Sequence, residues 1–112
     1  MKYAFTKTAR LEIREVIPFY ARERRSLGVD FIEELHRSLI LLLDNPRLGQ
    51  RVSETLRQMR LRKFPYVLIY AIDDENDLIQ ISVVCHQRRQ PGYWRNRVEE
   101  SKPAYAIWPL AA

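Results

Sequence analysis

Residues 59–86, MRLRKFPYVLIYAIDDENDLIQISVVCH, contain the pattern that decides the fold. Residues 66–72 are nearly all apolar or aromatic, which is typical of a strand in the middle of a sheet. The acidic run at residues 73–77 follows, and its Asp and Asn residues favour a turn. A second apolar run occupies residues 78–85. The stretch therefore predicts two long antiparallel strands joined by a hairpin turn.

Two further strands are predicted outside this hairpin. A short first strand is expected at Lys2–Phe5, with Tyr3 and Phe5 on one side of the pleat. From Leu56 the residue types alternate with a period of two until the pattern slips at Lys63. In this third strand, one set of alternating residues is Leu56, Gln58, Arg60 and Arg62. We expect Arg60 and Arg62 to point from the sheet face that the helices leave open.

Two amphipathic helices are predicted between the first strand and the others. Apolar residues recur in each at spacings of three and four: Ala9, Ile13, Val16 or Ile17, and Tyr20 in the first, and Phe31 or Ile32, Leu35, Leu39, Leu42 and Leu43 in the second. Thr6 or Thr8 suits the N-cap of the first helix, and Gly28 suits a left-handed cap at its end. The second helix is expected to begin at Gly28 or Asp30 and to stop at residues 45–46, Asn-Pro. The short connection predicts an antiparallel helical hairpin.

These elements predict an α+β fold in the order β-α-α-β-β-β, with a last short helix from Pro91. An antiparallel sheet with the helical hairpin packed on one face would bury every apolar stripe. The 112 residues suffice for one domain, which we assign to residues 1–100, with residues 101–112 as a C-terminal tail. The composition of the tail is compatible with three states: packing on its own domain, disorder, or contact with a partner. Its apolar residues have no clear period and are Tyr105, Ile107, Trp108 and Leu110.

Composition excludes several classes of protein. Hydrophobic residues make up 46% and charged residues 29%, which indicates a globular chain. The single cysteine, Cys85, forms no internal disulfide, which favours a reducing compartment. The longest apolar run, residues 39–43, is too short to span a membrane, and the N-terminus has no signal-peptide pattern. We therefore expect a cytoplasmic protein, and the lack of a zinc spacing or a phosphate-binding glycine loop predicts no metal or cofactor.

Charge is unevenly distributed along the chain. Residues 47–70 contain six basic residues and one acidic residue, a local +5, and residues 85–98 contain four basic residues and no acidic residue, a local +4. The turn at residues 73–77 carries four acidic residues, a local −4. Two basic segments separated by an acidic turn predict one basic face, which suits nucleic acid or an acidic protein. A solvated surface without a ligand gives the same pattern.

One group of residues has the chemistry for cleaving RNA without a metal. His86 can move a proton near neutral pH, Arg60 and Arg89 can stabilise phosphate charge, and Tyr93 can stack on a base. The structural alternative is that the segment around Tyr93 simply docks on the sheet and that Arg89 pairs with an acid of the fold. The remaining candidates for binding nucleic acid or another target are Arg57, Arg62, Lys63, Arg88, Arg95 and Arg97.

Three stretches are similar to the motifs of one known family. The second helix ends in LLDNPRLG at residues 42–49, like the family's helix end followed by Asn-Pro. Residues 59–70, MRLRKFPYVLIY, resemble its arginine, Phe-Pro-Tyr and later Tyr in a strand pair. Residues 83–94, VVCHQRRQPGYW, resemble its strand end of the form His-x-x-Arg-x-Pro. In this order and spacing, the chain resembles the RelE/ParE toxin superfamily of type II toxin–antitoxin and plasmid stabilisation systems from about residue 3 to residue 97.

The resemblance implies a toxin that a partner antitoxin neutralises in a hetero-oligomer. Such antitoxins wrap a flexible helical segment around the toxin, so the expected contacts are the apolar groove beside the helical hairpin and the basic sheet face. RelE-like members enter the ribosomal A site and cut messenger RNA, whereas ParE-like members poison DNA gyrase with no known bond-cleaving chemistry. Arg60 matches a basic strand position of the RNA-cutting branch, and His86, Arg89 and Tyr93 lie near its catalytic cluster. Val67, however, stands where RelE carries an arginine.

Three hypotheses follow from the resemblance. The first is a ParE-like toxin that arrests growth by inhibiting DNA gyrase, which the Arg89-x-Pro91 pattern and the long helical hairpin favour. The second is a metal-independent endoribonuclease that acts on messenger RNA at the ribosome. In it, His86 would be base or acid, Arg60 and Arg89 would hold the phosphate, and Tyr93 would stack or transfer a proton. The third is an interaction module without toxicity.

Overall fold

The centre of the sheet is the antiparallel pair of β4 (Tyr66–Asp73) and β5 (Leu78–His86), which confirms the predicted hairpin. The computed structural model describes residues 1–88. Within this range the other elements are β1 (Lys2–Phe5), α1 (Lys7–Glu23), α2 (Arg25–Asp44), β2 (Gln50–Arg51) and β3 (Leu56–Arg60), with a 3-10 turn at Pro46–Leu48. The helix predicted from Pro91 and the tail at residues 101–112 lie outside the described residues.

The sheet contains five strands in the order β1-β5-β4-β3-β2. Strands β2 to β5 pair antiparallel in sequence order, whereas β1 runs parallel to β5. The predicted α+β architecture is confirmed, but the sheet is mixed. A parallel neighbour needs a long connection, and the helical hairpin with the three strands after it provides one. Sequence periodicity did not reveal β2, because two residues are too few to show a period.

Thr6 joins the start of α1 to the sheet. Its hydroxyl accepts a hydrogen bond from the Ala9 N–H at 3.2 Å and donates one to the Ser82 carbonyl at 3.1 Å. The side chain is completely buried. Of the two threonines that the sequence offered, Thr6 is therefore the N-cap, and it also attaches the helix to β5.

The junction of the two helices differs from the prediction. α1 ends at Glu23 and α2 begins at Arg25, with the extended Arg24 between them, so Gly28 lies inside α2 and caps neither helix. A Cβ atom at Gly28 would lie 3.2 Å from the Ala21 Cβ and from the Ile17 carbonyl oxygen. Gly28 therefore allows the two helices to approach each other, a need that helix periodicity does not express. The predicted stop at residues 45–46 is confirmed, since α2 ends at Asp44.

Both helices pack on the same face of the sheet. The predicted stripes are buried there, with Ala9, Ile13 and Val16 from α1 and Phe31, Leu35, Leu39 and Leu42 from α2. The sheet contributes residues from β1, β4 and β5 to this main core, namely Phe5, Leu68, Tyr70, Ile79, Ile81 and Val84.

A second apolar cluster occupies the opposite face of the sheet. It consists of Leu56, Val67, Ile69, Val83 and Cys85, and neither helix contributes a residue to it. Cys85, which lies near the end of β5, is a buried free cysteine. Neither helix of the described region is long and apolar enough to cross a membrane.

Candidate functional site

Exposed basic side chains gather at the end of the sheet where β3 ends and β4 begins. Arg60 is the last residue of β3, and Arg62 and Lys63 lie in the connection to β4. The Gln87 N–H donates to the Pro65 carbonyl at 2.8 Å, which places the exposed Arg88 beside this connection. We call Arg60, Arg62, Lys63, His86 and Arg88 the basic end of the sheet. Within residues 1–88, none of its four Arg and Lys side chains forms an ion pair.

A buried carboxylate holds the connection in place. Glu34 of α2 accepts a hydrogen bond from the Arg62 N–H at 2.7 Å, and the Lys63 N–H is also bonded to it. Its other carboxylate oxygen pairs with the Arg37 guanidinium. The Glu34 side chain is only 2% exposed. The carboxylate thus fixes the backbone from which two side chains of the basic end project.

The hydrogen bonds to Glu34 favour its ionised form. Burial by itself raises the pKa of this carboxyl. The bonds from Arg37, Arg62 and Lys63 act in the opposite direction and outweigh burial, so the pKa lies below its usual range. Glu34 is not among the site residues predicted from the sequence. The available signal was its spacing, three residues after Phe31 and one before Leu35, which places it beside the buried stripe.

His86 lies on the helix side of the basic end. It is opposite Tyr66 in the β4–β5 pair, and the two ring centroids are 5.3 Å apart. Tyr66 in turn packs edge-on against Tyr20 and Phe31 of the helices. The His86 Nδ1 accepts a hydrogen bond from the Arg88 N–H at 3.1 Å, so the Nε2 atom is the one available to an external group.

Arg60 lies on the other face of the sheet. It pairs with Val67, and Val67 pairs with Cys85, both members of the second apolar cluster. Directly paired residues point to the same face and successive residues point to opposite faces. The structure therefore confirms the expected face for Arg60 but does not bring Arg60 and His86 to one face. Arg62 lies beyond the end of β3, so the alternation of side chains along a strand does not determine which face of the sheet its side chain points to.

Arg57 forms hydrogen bonds to the loop that follows α2. Its guanidinium donates to the Gly49 carbonyl at 2.8 Å and to the Arg47 carbonyl at 3.3 Å. The Tyr70 hydroxyl holds the same loop, since it donates to the Pro46 carbonyl at 2.7 Å and accepts from the Gly49 N–H at 2.9 Å. A Cβ atom at Gly49 would lie 2.5 Å from that hydroxyl, so this close approach requires glycine.

A separate group of arginines lies at the opposite end of the sheet. Arg47, Arg51 and Arg57 line a cavity of about 280 Å³ together with Glu54 and Asp74. Arg47 lies 3.8 Å from Asp74 of the acidic turn, and both side chains are exposed. The basic residues between positions 47 and 63, together with Arg88, are thus divided between two ends of the sheet, whereas their order in sequence predicts a single basic face.

The other candidates lie beyond the described range. Arg89, Tyr93, Arg95 and Arg97 follow Arg88 in sequence and are outside the described residues. Among residues 1–88, no group of three His, Cys, Asp or Glu side chains is placed to hold a metal ion. Within this range, the chemical capacity of the basic end is binding of negative charge by exposed arginine and lysine, with His86 beside it.

Solved structures of toxins share this fold. A protein of the chromosomal ParDE toxin–antitoxin system of P. aeruginosa superposes with a TM-score of 0.65 at 14% identity, covering 77% of this chain and 95% of that one. The intact E. coli RelBE toxin–antitoxin complex contains a chain with a TM-score of 0.60 at 24% identity, covering 79% of this chain and 98% of that one. The isolated E. coli RelE toxin superposes with a TM-score of 0.60 at 24% identity, and the match covers 88% of this chain and 96% of that one.

Family membership follows from the sequence match. No curated protein matches this sequence closely enough to count as a relative. The model of the ParE toxin of the type II toxin–antitoxin system parDE matches residues 3–91, a range that includes every strand and helix described above except Lys2 at the start of β1. The chain therefore belongs to the ParE toxin family of type II toxin–antitoxin systems.

Proposed function

We propose that this protein arrests growth by binding and inhibiting DNA gyrase, without cutting nucleic acid. The observation that carries the proposal is the position of Arg60 and His86 on opposite faces of the sheet. Cleavage of RNA through its own 2′-hydroxyl needs a proton-transfer group and a phosphate-binding cation within reach of one phosphate. Val67, which stands where RelE carries an arginine, is buried in the second apolar cluster. These features favour binding over cleavage.

Within the basic end of the sheet, the cationic side chains of Arg60, Arg62, Lys63 and Arg88 form the surface that we assign to the target. Its four Arg and Lys side chains are exposed, and the Glu34 carboxylate fixes the backbone of Arg62 and Lys63. Exposed cations on a fixed backbone attract an acidic surface over a distance of about 10 Å at moderate salt. Gyrase, a DNA-binding enzyme, would present such a surface either as protein carboxylates or as the phosphates of its bound DNA.

An antitoxin is the second partner that we propose. The P. aeruginosa and E. coli proteins that share this fold come from toxin–antitoxin systems, and one of them was solved as a toxin–antitoxin complex. On this chain, the outer surface of the helical hairpin carries apolar side chains that are about half exposed, namely Leu11, Phe19, Val29 and Ile40. An amphipathic helix of an antitoxin can cover such residues.

The alternative is a ribosome-dependent endoribonuclease. The observation in its favour is the half-buried His86 next to the exposed Arg88, with Nδ1 bonded to the Arg88 N–H and Nε2 left for an external group. Arg89 and Tyr93, which complete this hypothesis, lie outside the described residues. A histidine with one nitrogen already bonded can act as a proton donor or acceptor through the other.

Two parallel assays separate the hypotheses. Purified protein is added to a gyrase supercoiling reaction and to a reconstituted translation reaction in which messenger RNA length is measured. We expect supercoiling to be inhibited and the message to stay intact. Message that is cut only when ribosomes are present would overturn the gyrase proposal. No effect in either assay, together with tight antitoxin binding, would instead establish the interaction module.

A further inference from the structure

The arginine cavity, which we define by its lining residues Arg47, Arg51 and Arg57, lies at the end of the sheet opposite the basic end. Within residues 1–88, Arg51 and Arg57 form no ion pair, and Arg47 forms only an exposed one, 3.8 Å from Asp74. Three like charges at one cavity repel one another unless a negative group lies between them. Neither the target surface at the basic end nor the antitoxin surface on the hairpin includes these arginines.

Two of the guanidinium groups are held in place by backbone carbonyl groups. Arg57 donates to two carbonyl groups of the loop after α2, and both bonds come from its Nη1 atom. Within the described structure, the Nε–Nη2 edge of Arg57 therefore remains for a ligand. The Arg51 Nη2 atom donates to the Glu54 carbonyl at 2.9 Å. A guanidinium group that is already held loses little side-chain entropy when it binds an anion through two parallel N–H bonds.

Negative charge at the cavity limits the kind of anion that it binds. Glu54 and Asp74 line it beside the three arginines, so three positive charges face two negative ones and the net charge is +1. One carboxylate balances this charge, whereas nucleic acid brings a series of phosphates that the two lining carboxylates repel. The volume of about 280 Å³ lies near the lower limit of ligand sites, roughly 300–1,000 Å³, and suits a side chain.

Exposed apolar side chains connect the cavity to the helical hairpin. Leu48 directly follows Arg47, and Ile40 and Leu41 lie in the last turns of α2. These three apolar residues are between 41% and 51% exposed, and they continue the surface that we assign to an antitoxin helix. Since α2 ends three residues before Arg47, a peptide that follows this surface to the end of α2 arrives at the arginine cavity.

We propose that the arginine cavity binds the side-chain carboxylate of an Asp or Glu residue in the antitoxin segment that covers the helical hairpin. The Nε–Nη2 edge of Arg57 and the Arg51 guanidinium then donate to its oxygens, and the same carboxylate replaces Asp74 as the ion-pair partner of Arg47. The inference rests on the antitoxin proposed above as the source of the carboxylate, and it is independent of the choice between gyrase and ribosome.

Two peptide probes of matched size test the site. Acetyl-Ala-Glu-Ala-amide and its neutral analogue acetyl-Ala-Gln-Ala-amide are titrated into the full-length protein, and the NMR signals of the arginine Nε–H groups are followed. We expect only the glutamate peptide to shift the signals of Arg51 and Arg57. Arg57→Lys keeps the charge but loses the planar fork, so it should weaken binding at least about fivefold. The control Arg62→Ala removes one charge from the basic end and should leave the affinity within about twofold.

A variant with increased affinity keeps the test independent of folding defects. Asp74→Asn removes the carboxylate that competes for Arg47, and it does so in an exposed turn. The glutamate peptide should bind this variant about two- to fivefold more tightly, which is the range expected for loss of an exposed ion pair. Unchanged or weaker binding would overturn the proposal, as would equal shifts by the glutamate and glutamine peptides. Shifts caused by a short DNA duplex instead of the glutamate peptide would make the cavity a nucleic-acid contact.

Calorimetry with the antitoxin tests the source of the carboxylate. We expect Arg51→Ala to weaken antitoxin binding about tenfold, because one charged hydrogen-bond donor is lost. Unchanged antitoxin binding in a variant that no longer binds the glutamate peptide would overturn the assignment to the antitoxin. An antitoxin that does not bind even the wild type would contradict the proposed partner itself, whereas the peptide titration would still decide whether the cavity binds a carboxylate.

Discussion

Arg60 and His86 lie at the same end of the sheet, but their side chains leave it from opposite faces. Arg60 pairs with Val67 on β4, and His86 pairs with Tyr66, the residue immediately before Val67. The His86 ring lies edge-on to Tyr66 on the helix side, whereas Val67 belongs to the cluster on the other side. Arg60, one of the two phosphate-binding groups of the RNA-cutting hypothesis, is therefore separated from His86 by the thickness of the sheet, and the other group, Arg89, lies outside the described residues.

The first prediction concerns His86. Under the gyrase proposal, His86→Ala leaves inhibition of supercoiling within about twofold of the wild type, because no proton transfer is needed. A general acid or base contributes about 10²- to 10⁴-fold to a reaction rate, so the same variant would lose nearly all message cleavage if the protein were a nuclease. Supercoiling and messenger RNA length are measured with the same preparation. A loss of growth arrest with an unchanged urea midpoint would contradict the prediction.

The second prediction concerns charge at the two ends of the sheet. Arg62→Ala/Lys63→Ala should weaken gyrase inhibition by roughly tenfold at low salt, with a smaller effect at high salt, because both cations are exposed and screened by ions. Arg47→Ala/Arg51→Ala is the matched control, since it removes the same charge from the other end. The inhibitory concentration of each variant is measured at two salt concentrations. Equal weakening by both pairs would show that net charge alone matters.

The third prediction uses the pH dependence of Glu34. Its folded-state pKa lies below its usual range, so its contribution to stability is present above about pH 4.3, the ordinary value of Glu. That contribution disappears as the pH falls through the folded-state pKa, because the folded protein must then protonate a carboxylate that is hydrogen bonded. Glu34→Gln should lower the free energy of unfolding at pH 7 by about 1–3 kcal/mol.

Urea unfolding of both proteins at pH 7 and near pH 3 tests this dependence. The difference between the wild type and Glu34→Gln should shrink at the lower pH. The exposed neighbour Glu33 provides the control, and Glu33→Gln should change stability by less than about 0.5 kcal/mol. A constant difference across the pH range would mean that the ionisation of Glu34 does not contribute.

The fourth prediction concerns the Tyr70 hydroxyl. Tyr70→Phe removes the bonds to the Pro46 carbonyl and the Gly49 N–H, and it should destabilise the fold by about 1–3 kcal/mol. Burial raises the pKa of Tyr70, although the Gly49 N–H and the Arg57 charge act the other way. This contribution is therefore complete below about pH 10 and is lost as the pH rises through the raised pKa. Thermal unfolding is compared with that of Tyr3→Phe, and equal melting temperatures would refute the role of the hydroxyl.

The fifth prediction separates two threonines that the sequence could not rank. Thr6→Val should cost about 1–2 kcal/mol, because it removes the N-cap of α1 and the bond to Ser82. Thr8→Val, two residues later, should cost less than about 0.5 kcal/mol, since Thr8 lies inside the helix and caps nothing. The urea midpoints of the two variants test this prediction. A larger loss of stability for Thr8→Val than for Thr6→Val would contradict the assignment of the cap.

The site was only partly accessible from the sequence. Arg60, Arg62, Lys63, His86 and Arg88 were recognised from their residue types, and the structure places them at one end of the sheet. Glu34 was missed because a carboxylate in a helix normally faces solvent, and only the approach of the β3–β4 connection provides N–H donors for it. Arg57 has the residue type of a target-binding group, yet the structure shows it bonded to the loop after α2.

The sequence by itself determined the helices and the three long strands, because their periods of about 3.6 and two residues depend only on which side chains face the core. It also determined the end of α2 and the turn before β5, since Pro46 and the acidic run act on their own backbone. Only the tertiary structure decided that β1 joins β5 in parallel, that Gly28 lies where α2 packs against α1, and that Arg60 and His86 point to opposite faces. Each of these depends on contacts between residues far apart in the chain, and local periodicity carries no information about such contacts.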